Sequence, residues 1–210
     1  MFNEENFQSR TNLAENASLT TYAKWAAQQT PNAYKVFYEF MEVVKPKRIL
    51  EIGTGLGGFT MFTRMCSDDL NLNTEIRSYD VSAHSGDQDL RDMNIDVRIE
   101  NVFNSNYTEV DKSVIDFVQQ DGSTVVLCDG GNKIHEFNLL SDYIKPGDFI
   151  MAHDYASDPE YFKEHVYMKL WNWHEIADSD IKEATDRNKL SPYMKDKFDS
   201  AVWVCKIKIN

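Results

Sequence analysis

Long apolar runs are absent from this sequence, cysteine is scarce, and basic residues are outnumbered. No run approaches the roughly 18–20 residues that span a bilayer, so a transmembrane helix is not expected. The opening residues, Met1-Phe2-Asn3-Glu4-Glu5-Asn6, are polar and acidic, unlike a secretory signal. The three cysteines, Cys66, Cys128 and Cys205, lie far apart. They offer neither disulfide nor metal-site spacing and read as free, buried thiols of a reducing, cytoplasmic compartment. Lysine and arginine total 22 against 34 aspartates and glutamates, a formal net charge of −12. Proteins that grip nucleic acid present a basic face. The longest basic cluster here, Lys45-Pro46-Lys47-Arg48, reads better as the start of a strand. A small-molecule substrate is therefore expected, with no nucleic-acid or membrane partner. Internal repeats, low-complexity tracts and Pro/Gly linkers are missing too, so the 210 residues read as one domain, 1–210. Composition leaves self-association open.

What is present is an alternation of strand and helix patterns. Thr30-Pro31 supplies a helix cap and a first-turn proline. Ala33, Val36, Phe37, Phe40, Met41 and Val44 then repeat at helical spacing over 31–44, and Pro46 ends the element. Strands are expected at 49–52, 75–79, 96–100, 124–128 and 149–152, with a terminal one at 201–209 that turns Lys206 and Lys208 outward. Helices are expected over 59–66, 114–118 and 134–144, and along Phe162, Val166, Leu170 and Trp173. The run Thr124-Val125-Val126-Leu127-Cys128 is apolar without alternation, which suits a central parallel strand covered on both faces. The whole pattern predicts α/β with a mostly parallel sheet. Residues 1–30 read as an extension or lid, and 155–200 as a substrate-side cap.

The most informative stretch is Arg48-Ile49-Leu50-Glu51-Ile52-Gly53-Thr54-Gly55-Leu56-Gly57-Gly58-Phe59, a short strand followed by four glycines in six positions. A glycine turn between strand and helix lets backbone approach a ligand and aims free N–H groups at it. Each later strand also ends in a polar residue: Asp80, Asn101, Asp129, then His153 and Asp154. In open α/β sheets ligands sit beyond these carboxyl ends. Asp80 can accept both ribose hydroxyls of an adenosine, and Asn101 can contact adenine or serve the loop.

The glycines alone also satisfy the dinucleotide fingerprint. Glu51, two positions before Gly53, points away from a nicotinamide because it can approach a cationic amino-acid group. The motif also starts well inside the chain, and Tyr193 and Lys197 are the only pair resembling a hydride-transfer set.

Glu51-x-Gly53-x-Gly55-x-Gly57 with Asp80 resembles the class I S-adenosylmethionine-dependent methyltransferases, over about residues 31–209. The later stretch, Leu127-Cys128-Asp129-Gly130 and then Lys145-Pro146-Gly147-Asp148-Phe149-Ile150-Met151-Ala152-His153-Asp154-Tyr155, is similar to the macrocin O-methyltransferase and cephalosporin hydroxylase group. The resemblance implies a Rossmann-like methyltransferase fold. Its seven-stranded sheet would be mostly parallel with an antiparallel last strand, and helices would cover both faces. It implies S-adenosylmethionine held by Glu51, Gly53, Gly55, Gly57, Asp80, Asn101 and Asp129. In those families an acid after the fourth strand and a pair after the fifth hold a divalent metal, commonly magnesium. The matching positions are Asp129, His153 and Asp154.

Two departures stand out. His153 replaces an acid, and a histidine ligand favours softer ions such as manganese, iron or zinc; it can instead act as a base or from behind the ligands. Gly131 replaces a second acid of macrocin-type enzymes, which removes their candidate base. Asp129, Lys133 and His135 are then the candidate catalytic residues, the last two as substitute bases or as solvated helix residues. The expected activity is metal-assisted O-methylation of a small hydroxylated molecule, with magnesium or manganese. Aromatics between Tyr155 and Tyr193, and Trp25, would wall a ring substrate. The alternatives are a hydroxylase-branch relative, a non-catalytic S-adenosylmethionine-binding protein and, least supported, an NAD-dependent oxidoreductase.

Overall fold

The structure, a computed structural model, describes residues 25–210 throughout and, before them, the backbone of 11–13 and 20–22. Most of the expected 1–30 extension thus lies outside the described residues. Strands β1 (Thr11–Leu13), β2 (Thr20–Tyr22) and β3 (Trp25–Ala26) pair as a small antiparallel sheet.

The main sheet contains β4 (Arg48–Ile52), β5 (Glu75–Asp80), β6 (Asp96–Ile99), β7 (Thr124–Cys128), β8 (Phe149–His153), β9 (Leu190–Pro192) and β10 (Trp203–Lys208). Their spatial order is β6-β5-β4-β7-β8-β10-β9. Strands β4 to β8 pair in parallel, while β10 is antiparallel to both β8 and β9. This is the seven-stranded sheet with a reversed last strand that the sequence predicts. β9 was not foreseen, because three residues are too few to show a period. Its pairing with β10 also buries Lys206, which the sequence pattern turns outward.

The helices are α1 (Pro31–Val44), α2 (Gly58–Asp69), α3 (Asp87–Asp92), α4 (Lys112–Val118), α5 (Lys133–Leu140), α6 (Pro159–Tyr161), α7 (Asp178–Arg187) and α8 (Lys195–Asp199). Strand residues alternate between two cores, as a period of two requires. Ile49, Val125, Met151 and Trp203 face Phe37 of α1, Phe62 of α2 and Phe198 of α8. Leu50, Val126, Ile150 and Val204 face Phe117 of α4, Phe137 of α5 and Ile181 of α7. Helices therefore cover both faces. No described helix is long and apolar enough to cross a membrane, and all three cysteines are buried and free.

The helix expected through Trp173 ends early. After α6 the chain makes one wider π-type turn over Phe162–Val166, and Tyr167 then bridges Trp171 across a tight turn. Leu170 and Trp173 are exposed, so the aromatic spacing there reflects no buried helical face.

From β4 the chain moves outward to β6 and then returns to β7 on the other side of β4. That reversal leaves a crevice beyond the carboxyl ends of β4 and β7.

The packing against α1 is testable. The Phe37 ring lies 4.8 Å from Phe59, 5.3 Å from Phe198 and 5.1 Å from Trp203, centroid to centroid. Phe37→Ala should cost about 3–5 kcal/mol. The measure is a lower denaturant midpoint with an unchanged slope.

Candidate active site

A cleft of 610 Å³ occupies this crevice. Its floor is the glycine turn. The Gly53 N–H donates to the Tyr79 carbonyl at 2.8 Å, and the Asp129 N–H donates to the Ile52 carbonyl at 2.9 Å. A Cβ on Gly53 would stand 2.2 Å from the Asp129 carbonyl oxygen, and its φ is +94°, so only glycine closes this turn. The Gly55 N–H donates to Asp80 Oδ2 at 2.8 Å. Asp80 Oδ1 accepts from the Ser82 N–H. Asn101 lines the same side and accepts from the Phe103 N–H.

Glu51 is buried in the cleft wall. Its Oε2 accepts from Ser78 Oγ at 2.5 Å and Thr60 Oγ1 at 2.6 Å. Among the described residues no cationic side chain pairs with it. Burial pushes its carboxyl up to about 7. The structure thus brings Glu51, Gly53, Gly55, Asp80, Asn101 and Asp129 to one cleft. Gly57 stands behind it, against Leu90. Trp25 is not a wall either: its Nε1 donates to Asp89, and Ala26, Ala27 and Gln28 line the cleft instead.

At the ends of β7 and β8 four charged or titratable side chains meet. Asp129 Oδ1 lies 3.1 Å from His153 Nδ1, and its Oδ2 accepts from Gln29 Nε2 at 3.0 Å. Asp154, in left-handed backbone at φ +57°, accepts from Trp171 Nε1 through Oδ1. Its Oδ2 lies 2.9 Å from Lys133 Nζ. Lys133 opens α5 and folds back over the loop, and its ammonium also donates to the Gly130 carbonyl and to Glu175 Oε2, each at 3.0 Å. It is buried, contrary to the solvated reading. Burial works against its charge, but Asp129 and Asp154 outweigh burial and hold it above the ordinary lysine range. The three acceptors around its Nζ suit the ammonium form.

His153 is sandwiched between rings, stacked on Trp203 at 4.9 Å and tilted against Trp171 at 5.0 Å. Both polar neighbours of Nδ1 are carboxylate oxygens, which favours a proton on Nδ1, while the buried Nε2 has no partner. Burial favours the neutral ring, yet Asp129 and Asp154 raise its pKa overall. Asp154 is lowered: burial opposes its charge, and His153 and Lys133 overcome that. His135 is not part of the cluster. It is exposed, bonds Asn132 and lies against Tyr107.

Several contributors carry no sequence signal. Gln29 joins Asp129, 100 positions on, to Trp203 Nε1, 174 positions on. Glu175 reaches Lys133 from beyond the π-type turn. Glu136, pushed up to about 7 by burial, accepts the Gly130 and Asn132 N–H groups and shapes the loop after β7. An acid in the first turn of a helix below a Gly-Gly loop was the available clue. On the far side Trp171 and Trp173 line the cleft, whereas Tyr155, Tyr161, Phe162, Tyr167 and Tyr193 do not.

One ligand atom each from Asp129, His153 and Asp154 lies within 4.8 Å of the others, a spacing that a metal ion can bridge. The site nevertheless fits a metal poorly. All four carboxylate oxygens face N–H donors, and a lysine ammonium is already among them.

No family model and no curated protein matches the sequence. Solved structures do. An apo structure of CmcI superimposes with a TM-score of 0.61 at 11% identity, over 90% of this chain and 76% of that one. A CmcI structure titled with SAH gives 0.59 at 11%, over 100% and 93%. One titled Mg-SAM gives 0.58 at 13%, over 89% and 75%. At such identities the likeness is one of fold, the methyltransferase-type fold that the family resemblance in the sequence implies.

Glu51 gives a pH signature. The folded chain holds its proton more tightly than the unfolded chain, so its stabilising contribution is complete below the ordinary value of 4.5 and is lost as pH rises toward about 7. Glu51→Gln should therefore lose less melting temperature than the parent between pH 5 and 7, roughly the window between those two values. Parallel thermal scans would show it, and equal slopes would refute the assignment.

Proposed function

We propose that this chain is an S-adenosylmethionine-dependent methyltransferase that methylates an oxygen of a small hydroxylated molecule. The observation that carries the reading is the convergence of Glu51, Asp80, Asn101 and Asp129 on one glycine-floored cleft. The fold shared with CmcI structures titled SAH and Mg-SAM supports it. The cofactor, when bound, supplies a methyl group on a cationic sulfur, and the electron pair of the broken C–S bond stays on that sulfur.

The chain's residues suit that ligand. Glu51 is a buried acid with two hydroxyl donors, which suits an amino group. The oxygens of Asp80 keep acceptor capacity for ribose hydroxyls beyond their backbone bonds. Asn101, on the cleft lining near Asp80, would contact the adenine. The opposite half of the cleft, with Trp171, Trp173 and Glu175 beside the acids, suits a ring-bearing acceptor. Asp129 faces both halves and is the group placed to take the acceptor's hydroxyl proton. Much of the rate would come from fixing the oxygen in line with the methyl. The metal-assisted form of this reaction has the three converging atoms in its favour and the Lys133 ammonium against it.

S-adenosylmethionine should raise the melting temperature while NAD does not. Asp80→Ala should weaken cofactor affinity at least about tenfold by isothermal titration. Asp129→Ala should cut turnover by about 10²–10⁴ while changing that affinity far less; undiminished turnover would sink its role as base.

A further inference from the structure

We propose that the acid pair at this rim carries its own cation: the Lys133 ammonium stands where a divalent metal would sit, and the rim works without one. The methyltransferase reading is needed only for what the rim is used for; the cation assignment is geometric.

Every carboxylate oxygen of the pair already has a donor. Asp129 has His153 Nδ1 on Oδ1 and Gln29 Nε2 on Oδ2; Asp154 has Trp171 Nε1 on Oδ1 and Lys133 Nζ on Oδ2. A hard dication coordinates carboxylate oxygens at about 2.0–2.6 Å. Reaching both acids would press it against an ammonium that lies 2.9 Å from one and 3.8 Å from the other. His153 Nδ1 faces the same two acids, so the ammonium stands among all three possible ligands. Lys133 is built in rather than adventitious: its side chain is 7% exposed, and the Gly130 carbonyl and Glu175 complete its three donor bonds. Glu175 is 46% exposed, the only one of those partners open enough for an acceptor oxygen to displace. An ammonium supplies positive charge to that oxygen, as a dication would, at a position fixed by folding.

Removing the ammonium should uncover the hidden ligands. Two carboxylates and a histidine would then lack their cation, and manganese could supply it. The test is isothermal titration of MnCl₂ into the full chain and into Lys133→Ala, with circular dichroism to check folding. The parent should give no saturable binding, and EDTA should leave its turnover unchanged. Lys133→Ala should bind about one manganese per chain, and adding Asp154→Asn should abolish that binding. Saturable manganese binding by the parent that Asp154→Asn removes would overturn the proposal. A folded Lys133→Ala chain that ignores manganese would overturn it equally. If that variant does not fold, the parent titration and the EDTA arm decide. S-adenosylmethionine titrated in parallel judges the methyltransferase reading on its own: its failure to bind would overturn that reading and leave the manganese result standing.

Discussion

Removing two carboxylates, a lysine and a histidine from water together is the demand that organises this molecule's functional end. Each buried charge needs a partner of opposite sign and donors for its remaining lone pairs. The fold meets that demand from distant parts of the chain. Lys133 comes from the start of α5, Trp171 from the tight turn after the π-type turn, and Gln29 from before α1. Apart from Lys133, whose first turn begins beside Asp129, these partners arrive only through tertiary structure. The charged cluster is thus also a set of ties among three separate segments.

The two halves of the cleft are built on different principles. The half on the glycine side is mostly backbone: a turn whose close approach to Asp129 only glycine permits, with Asp80 catching the Gly55 N–H. The opposite half is side chain, with two tryptophans, three acids and an ammonium. Asp129 belongs to both, since its backbone closes the glycine turn and its carboxylate anchors the charged cluster.

The sheet was largely legible because its strands are short apolar runs that end in polar residues. α1 was legible to its ends, since Thr30-Pro31 and the residues before Pro46 mark them chemically. The missing parts failed for physical reasons. β9 is too short for a period, and α7 buries only Ile181 and Ala184 among charged residues. The aromatics from Phe162 to Trp173 keep helical spacing in a segment that is not helical throughout. In the site, the strand-end acids could be found because strand ends are local. Gln29, Glu175 and the burial of Lys133 depend on long-range proximity that no local pattern encodes. His135, two positions from Lys133, turns outward on the same helix, a distinction that spacing from Asp129 does not convey.

The place of β10 in the sheet has a consequence for synthesis. It is the last strand in chain order, yet it lies between β8 and β9 and sets Trp203 opposite His153. A ribosome would release β4, β7 and β8, with every acid of the rim, before Trp203 emerged. Until β10 inserts, His153 lacks the ring it stacks on, Gln29 lacks its indole partner, and β9 has no neighbour to pair with. The contacts that hold His153 and Gln29 are therefore completed only when β10 joins the sheet.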